Sequence, residues 1–496
     1  MIHISTSFAL LVVAIIILVC IAGSRLSGRL GVPTLFIFIM LGMLFGSDGI
    51  FKIPFGNFAL AEQVCSVALI FIMFYGGFGT RWSEAKPVAG RSILLSSAGV
   101  VLTAFLTGLF CHLVLKMALM EGMLLGAVLG STDAASVFSI LRSRKLNLKY
   151  GTASMLELES GSNDPFAYMM TVILLSAMTG SVSGGSAVLL LIRQLAFGLL
   201  TGAAVAWLVT WLLKRYAFYG EGFDTIFVFA AAIISYAFAS QIGGNGYLSV
   251  YLTGIILGNQ ELKNQKALVG FFDAFTGMMQ MLLFFLLGLL AFPSQMPSIV
   301  LPAIAIALFL TFVARPAAVG LLLAPSKPPI GQYLVISWAG LRGAASIVFA
   351  IMATLSEGYM KYDIFHIVFC VVLFSIIFQG SLLPKVAEKC DMIDNSTDVM
   401  RTFSDYTGDM QIQFVQLPIG DNHPWKNRKI CEIEMLPGML ITVIRRGAQT
   451  IVPKGQTVIQ EGDTVVLGAE GFTDSQGILL KEILMTPDHR WCGKKI

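Results

Sequence analysis

Charge is scarce in this chain: Asp, Glu, Lys and Arg make up 12% of its 496 residues, where soluble domains carry about 25%. Hydrophobic residues reach 56%, and the mean hydropathy is +0.80. That balance excludes a soluble globular enzyme, a disordered protein and a nucleic-acid binder. The seven cysteines (Cys20, Cys65, Cys111, Cys370, Cys390, Cys431, Cys492) show no CxxC or His-paired spacing, which argues against a metal site or a disulfide framework. No lysine or arginine occurs in the first eight residues, so the first apolar run lacks the basic start of a signal peptide and is kept as a span. What is abundant is apolar sequence. Runs of ~20 residues, enough to cross a bilayer, recur from Phe8 to Leu383. The chain reads as a polytopic membrane protein.

The few charges are unevenly placed. Residues 1–385 hold 21 Lys and Arg and 14 Asp and Glu; residues 386–496, a much shorter stretch, hold 12 and 15. A membrane domain over 1–385 is therefore expected, then a linker over 386–409 and a small α/β soluble domain over 410–485. Thirteen spans are expected at about 7–23, 33–47, 58–78, 92–115, 122–141, 152–178, 188–213, 223–242, 247–259, 267–292, 298–323, 332–355 and 362–384. Alternate loops then carry sixteen basic residues on one side (from Arg25 and Arg29 to Lys385 and Lys389) and three, Lys52, Lys116 and Lys361, on the other. This positive-inside bias puts the N-terminus outside and the tail in the cytoplasm of a bacterial inner membrane.

The spans repeat at an offset of seven. Span 2 carries Gly42 and Gly46, and span 9 carries Gly254 and Gly258. Taken alone, such glycines are ordinary helix-packing residues. The polar interruption Gly130-Ser131-Thr132-Asp133 in span 5, however, is matched by Ala339-Gly340-Leu341-Arg342-Gly343 in span 12. An odd offset inverts the second copy, and inverted repeats with matched interruptions are the pattern of a transporter with a midplane site.

Charges inside spans are costly and are functional candidates by default. Glu62, Glu157, Arg193 and Asp273 lie near span ends and read as structural. Asp133, Glu159, Asp164, Arg315 and Arg342 lie deeper. Glu159 and Asp164 are five residues apart, about 140° around a helix, so one can face an arginine while the other faces a cavity. Pro165 frees a carbonyl one turn earlier, at Gly161. Arg315 and Arg342 stay charged and each needs a counter-charge. The carboxylate left without an arginine is desolvated, which favours its protonated form; such a group can exchange a proton for a metal cation. The plain alternative is a neutralised packing network, an expensive substitute for apolar packing.

Glu159-Ser160-x-x-Asn163-Asp164 resembles the Glu-Ser-x-x-Asn-Asp motif of NhaP-type cation:proton antiporters. Ser131-Thr132-Asp133 resembles their Thr-Asp element, and Trp338-Ala339-Gly340-Leu341-Arg342-Gly343-Ala344 their Trp-Gly-Gly-Leu-Arg-Gly-Ala stretch. The resemblance covers residues ~5–385. It implies a thirteen-helix all-α membrane fold with two unwound crossing helices, a homodimer in the lipid bilayer, and an elevator movement. By this likeness Asp164 binds an alkali cation and a proton in turn. Ser160, Asp133 and Thr132 complete or support the oxygen shell, with the cation at Asp164, Asp133 and Ser160. Asn163 stands where electrogenic relatives carry a second Asp, Glu159 pairs with Arg342, and Arg315 supports the site. Ala134 stands where many relatives have Pro, which leaves the ligand set open. Hard oxygen ligands suit an alkali cation without separating potassium from sodium.

In the tail, strands are expected at Met410 to Val415, Leu440 to Ile444, Gln449 to Val452 and Thr464 to Leu467, with a short helix from Asn427 to Glu434. The run Pro437-Gly438…Arg445-Arg446-Gly447…Lys454-Gly455…Glu461-Gly462-Asp463 resembles the TrkA-C (RCK C-terminal) domain. That likeness implies regulation by a small, nucleotide-type ligand; a merely dimerising lobe stays open. No GxGxxG follows a strand, so the dinucleotide-binding half is absent. Residues 488–496 echo 422–430, which is either the truncated start, over 486–496, of a further unit, the reading favoured here, or a coincidence. The expected function is electroneutral exchange of potassium for protons, without cofactor or enzymatic chemistry. Sodium/proton exchange is the near alternative. A ligand-gated potassium channel, for which no Thr-Val-Gly-Tyr-Gly filter is present, and an organic-solute carrier are the weaker ones.

Overall fold

The computed structural model describes residues 6–30, 33–144, 146–181, 184–215, 222–260, 262, 265–358, 360–394, 412–421, 423–433, 435, 439–447 and 449–470. The chain divides into two compact units, Met1–Ser404 and Asp405–Ile496.

The first unit is helical. Seven helices among the described residues are long and apolar enough to cross a membrane: Phe58–Phe78, Ala89–Leu113, Gly185–Arg215, Phe223–Gln241, Gln265–Leu290, Val300–Ser326 and Ile364–Lys389. Thr6–Leu30 and Thr152–Met178 are as long; the second owes its more polar character to Glu157, Glu159 and Asp164. Leu18, Leu189, Leu200, Trp207, Leu301 and Leu321 are largely exposed, an arrangement suited to lipid rather than water.

Two expected spans are broken. Leu119–Val128 and Ala134–Ser143 are separated by non-helical backbone at 131–133, and Ile330–Trp338 and Ala344–Thr354 by non-helical backbone at 340–343. Their neighbours repeat as well. Thr34–Phe45 packs on Gln265–Leu290 where Gly42 meets the Phe285 carbonyl and Gly288, while Gly246–Gly258 packs on Phe58–Phe78 where Gly254 and Gly258 meet the Phe74 and Phe78 carbonyls. Under the seven-span offset these are equivalent pairs, with the glycines acting as close-packing residues. π-helical turns at Leu95–Gly99 and Leu310–Ala314 occupy equivalent spans too.

The second unit is a four-stranded antiparallel sheet of β1 (Ile412–Pro418), β2 (Met439–Arg446), β3 (Gln449–Ile451) and β4 (Asp463–Glu470), in the order β1-β4-β2-β3. Ile419, Ile433, Ile441, Ile444, Ile459, Val465 and Leu467 form its core. The helix expected from Asn427 to Glu434 is not formed; a 3-10 turn, Ile430–Glu432, stands there. Its backbone groups go across instead of along: Asn427 N donates to Ile459 O (2.8 Å), Ile430 N to Thr457 O (3.0 Å) and Cys431 N to Gly455 O (2.9 Å). The residues from Met410 to Gln411, the Pro437-Gly438 turn, most of the expected linker and residues 486–496 lie outside the described residues.

Asp463 is fully buried and accepts from Arg446 Nε and Nη2, both at 2.8 Å. The Arg446 hydrogen bonds hold its carboxyl below the usual carboxylate range, against the opposing effect of burial. A carboxyl lowered on folding contributes stability above its unfolded value, about 3.9, and loses it as pH falls through the lower folded value. Asp463→Asn is therefore expected to destabilise the sheet by roughly 1–2 kcal/mol at neutral pH. In calorimetry of the solubilised protein the gap from the parent should close below about pH 4.

Candidate functional site

The two breaks cross and hold each other. A break leaves carbonyls and amides without helical partners, and here each break supplies the other. Asp133 N donates to Leu341 O (2.8 Å), and Arg342 Nη1 donates to Ser131 O (2.8 Å). Only glycine fits at 343, because a Cβ there would lie 2.4 Å from the Asp133 Cβ. Arg342 N is tied to Ser375 Oγ (3.0 Å), which in turn donates to Gln379.

The helix Thr152–Met178 runs past this crossing and continues through Pro165. Ser160 Oγ donates to Thr132 O (2.7 Å), and Asn163 Nδ2 to Thr132 Oγ1 (2.5 Å). Ser131 Oγ donates to Asp164 Oδ1. Ser160, Asn163 and Asp164 are all buried. The amide of Asn163 is oriented by its bond to Thr132, and its Oδ1 is left without a hydrogen-bond partner among the described residues. A buried acceptor of that kind is suited to a cation or its water.

The arginines are used differently from the sequence expectation. Glu159 does not pair with Arg342. Its partner is Arg315, through Nη1 to Oε1 at 2.6 Å and Nη2 to Oε2 at 2.9 Å, with both side chains buried. Arg342 is drawn instead to the carbonyl that the break exposes at Ser131. Asp133 caps the outgoing half-helix: Ser136 Oγ donates to its Oδ2 (2.6 Å) and Ser136 N to its Oδ1 (3.2 Å).

The charges near span ends have local partners. Glu62 accepts from Ser66 (2.9 Å), Asp273 from Tyr75 (3.0 Å), and Arg193 donates to Ile242 O (2.8 Å). Three residues were given no role in the sequence reading. Ser131 lay in plain view inside the first break. Asn245 is fully buried and donates to Pro165 O (2.8 Å) while capping Gly246–Gly258 through Leu248 N; its signal was a polar residue between two turn glycines. Glu121 lies just outside the expected span, yet it is buried and accepts from Lys361 N (2.5 Å).

Two profiles match the chain: "Sodium/hydrogen exchanger, transmembrane" over residues 14–389 and "TrkA-C domain" over 414–470. The chain belongs to the sodium/hydrogen exchanger family. It is 36% identical over 382 residues to the K(+)/H(+) antiporter NhaP of Alkalimonas amylolytica, covering 77% of this chain and 66% of that relative's length. It is 33% identical over 470 residues to the K(+)/H(+) antiporter NhaP2 of Shewanella sp. strain MR-4, covering 93% of this chain and 81% of that one. The solved sodium proton antiporter MjNhaP1 of Methanocaldococcus jannaschii superposes with a TM-score of 0.68 at 22% identity, covering 77% of this chain and 99% of that one. This last likeness speaks to the fold. A membrane cation/proton antiporter unit carrying a TrkA-C domain is thus the architecture of this member.

Proposed function

We propose that this protein exchanges a monovalent cation, potassium in preference to sodium, for protons at Asp164. One observation carries the reading. Two buried arginines stand near the crossing, and both are engaged elsewhere, Arg315 by Glu159 and Arg342 by the Ser131 carbonyl. Asp164 is left buried with a hydroxyl donor, Ser131, and its chain neighbour Asn163 keeps an Oδ1 without a hydrogen-bond partner among the described residues. A carboxylate in that setting is relieved either by a proton or by a cation, and the two exclude each other. Ser160 and Thr132 hold the break open to Asp164, and Asp133 supports the shell by fixing the half-helix behind it.

Potassium is favoured because the relatives 33–36% identical to the chain carry potassium in their names. Thirteen spans, an outside N-terminus, a cytoplasmic tail over 410–485 and a homodimer moving as an elevator complete the proposal; the loop charges and the inverted repeat support it. The tail regulates exchange by binding a small ligand. In everted vesicles, potassium and then sodium added to a respiration-acidified lumen should dequench a pH dye, potassium at the lower concentration. No response to either cation would sink the reading.

Stoichiometry gives a second check. With Asn163 in place of a second acid, one proton charge leaves as one cation charge enters. Transport is expected to be electroneutral. On a solid-supported membrane, a cation jump should give no current beyond that of Asp164→Asn; a current scaling with the gradient would contradict it.

A further inference from the structure

Residues 291–299 join two groups of helices in the membrane unit. Gln265–Leu290 packs on Thr34–Phe45 and Phe58–Phe78, whereas Val300–Phe309 packs on Ile364–Phe374. The joining strap is held by both groups. Asp48, in the loop between Thr34–Phe45 and Phe58–Phe78, accepts from Ser294 N (3.0 Å) and Ser294 Oγ (2.5 Å). Phe292 N donates to Nε2 of His366 (3.1 Å), in the first turn of Ile364–Phe374.

The Phe292 bond fixes the state of the ring. A backbone N–H only donates, so Nε2 is the acceptor. The ring proton of the neutral imidazole is then on Nδ1, from which it is donated to Asp363 Oδ2 (2.6 Å). An imidazolium donates from both nitrogens. Its Nδ1–H would keep the bond to Asp363, while its Nε2–H would meet the Phe292 N–H head-on. Protonation thus leaves the ring in place and breaks its bond to the strap. The His366 side chain is buried, but a cavity of about 440 Å³ reaches it together with Gln295 and Asp363, which gives protons a route. Asp48 lies within electrostatic reach of the ring, and the Ser294 bonds hold its carboxyl below the usual carboxylate range, so it stays ionised where histidine titrates. Of the other elements packed on Ile364–Phe374, Val300–Phe309 and Ala344–Thr354 carry no charged residue. Glu62 of Phe58–Phe78 accepts from Ser66, Glu121 of Leu119–Val128 accepts from the Lys361 amide, and Lys361 Nζ lies over the Tyr362 ring.

We propose that the Phe292–His366 bond is an acid-released clasp between the two helix groups. Neutral His366 holds the strap to the second group and restrains movement of one group against the other. Protonated His366 lets the strap go, and exchange quickens. This rests on the reading of the protein as an elevator exchanger. Histidine changes charge between pH 5 and 8. With Asp48 ionised throughout that range, Ser294 stays attached and the strap opens at its His366 end.

Hydrogen exchange resolved to single amides tests the clasp without any substitution. In the purified parent, protection of the Phe292 amide, corrected for the intrinsic rate, should fall roughly three- to tenfold between pH 8 and pH 6, while that of the Ser294 amide should hold. His366→Gln keeps an acceptor that does not titrate, so its Phe292 amide should stay protected at both pH values. In proteoliposomes with both sides at the same starting pH, potassium-driven exchange by His366→Gln should match the parent at pH 8 and be roughly threefold slower than the parent at pH 6. Protonation of Asp164 affects both proteins alike and cancels in that ratio. Equal loss of protection at Phe292 and Ser294, or no loss at either, overturns the clasp. A ratio of exchange rates that is the same at both pH values overturns its role in transport. If the parent exchanges no cation at either pH, the exchanger reading fails, and the protection of the two amides alone decides the clasp.

Discussion

Glu159→Ala should destabilise the membrane unit by about 3–5 kcal/mol, because it strands the Arg315 guanidinium in the interior. Arg315 is 5% and Glu159 1% exposed at the side chain, so neither charge can reach water when the other is removed. Once Glu159 is gone, Arg315 keeps, among the described residues, only a long contact to Ile336 O, at 3.5 Å. Arg315→Ala should cost a similar amount by stranding the carboxylate. The double variant Glu159→Ala/Arg315→Ala should be less damaged than the sum of the two, since no charge is left alone. Arg342→Ala provides the contrast. It removes the bond to the Ser131 carbonyl without stranding a partner carboxylate, so exchange should fall more than stability. Melting curves of the four solubilised variants decide the matter. If Glu159→Ala melts like the parent yet no longer transports, Glu159 is an exchanging group and not a structural one.

Asp164→Asn should abolish cation-driven proton movement while leaving the fold intact. The asparagine oxygen can still accept from Ser131, so the local hydrogen bonding survives. A neutral amide also removes the penalty of burying a carboxylate, so the variant should melt at or above the parent temperature. Asp164→Glu keeps the acid on a longer arm and should retain some exchange at altered affinity. Loss of transport with a sharply lower melting temperature would make Asp164 a structural residue.

The chemistry-bearing residues were largely legible because the membrane makes polarity rare. Against a chain so poor in charge, the breaks at 131–133 and 340–343 and the acids of Thr152–Met178 stand out without any structure. Pairing was not legible. Glu159 had two arginines within the bilayer to choose from, and spacing along the chain does not say which one reaches it. What decides is the crossing: it brings Arg342 over the carbonyl freed at Ser131 and leaves Glu159 to Arg315. Ser131 was named within the break but given no role, because its contact with Asp164 exists only once two helices meet. Tail strands were readable from alternation. The Asn427 to Glu434 helix failed because its pattern is short and its backbone finds partners at 455–459, a competition that local propensity does not contain.

The central claim is that one carboxylate serves cation and proton in turn, and proton release on cation binding tests it most directly. Potassium added to purified protein in weak buffer should displace about one proton per chain, since a carboxylate must give up its proton to bind a metal ion. The Asp164→Asn variant should release none. Potassium binding without proton release, or equal release from the Asp164→Asn variant, would contradict the account.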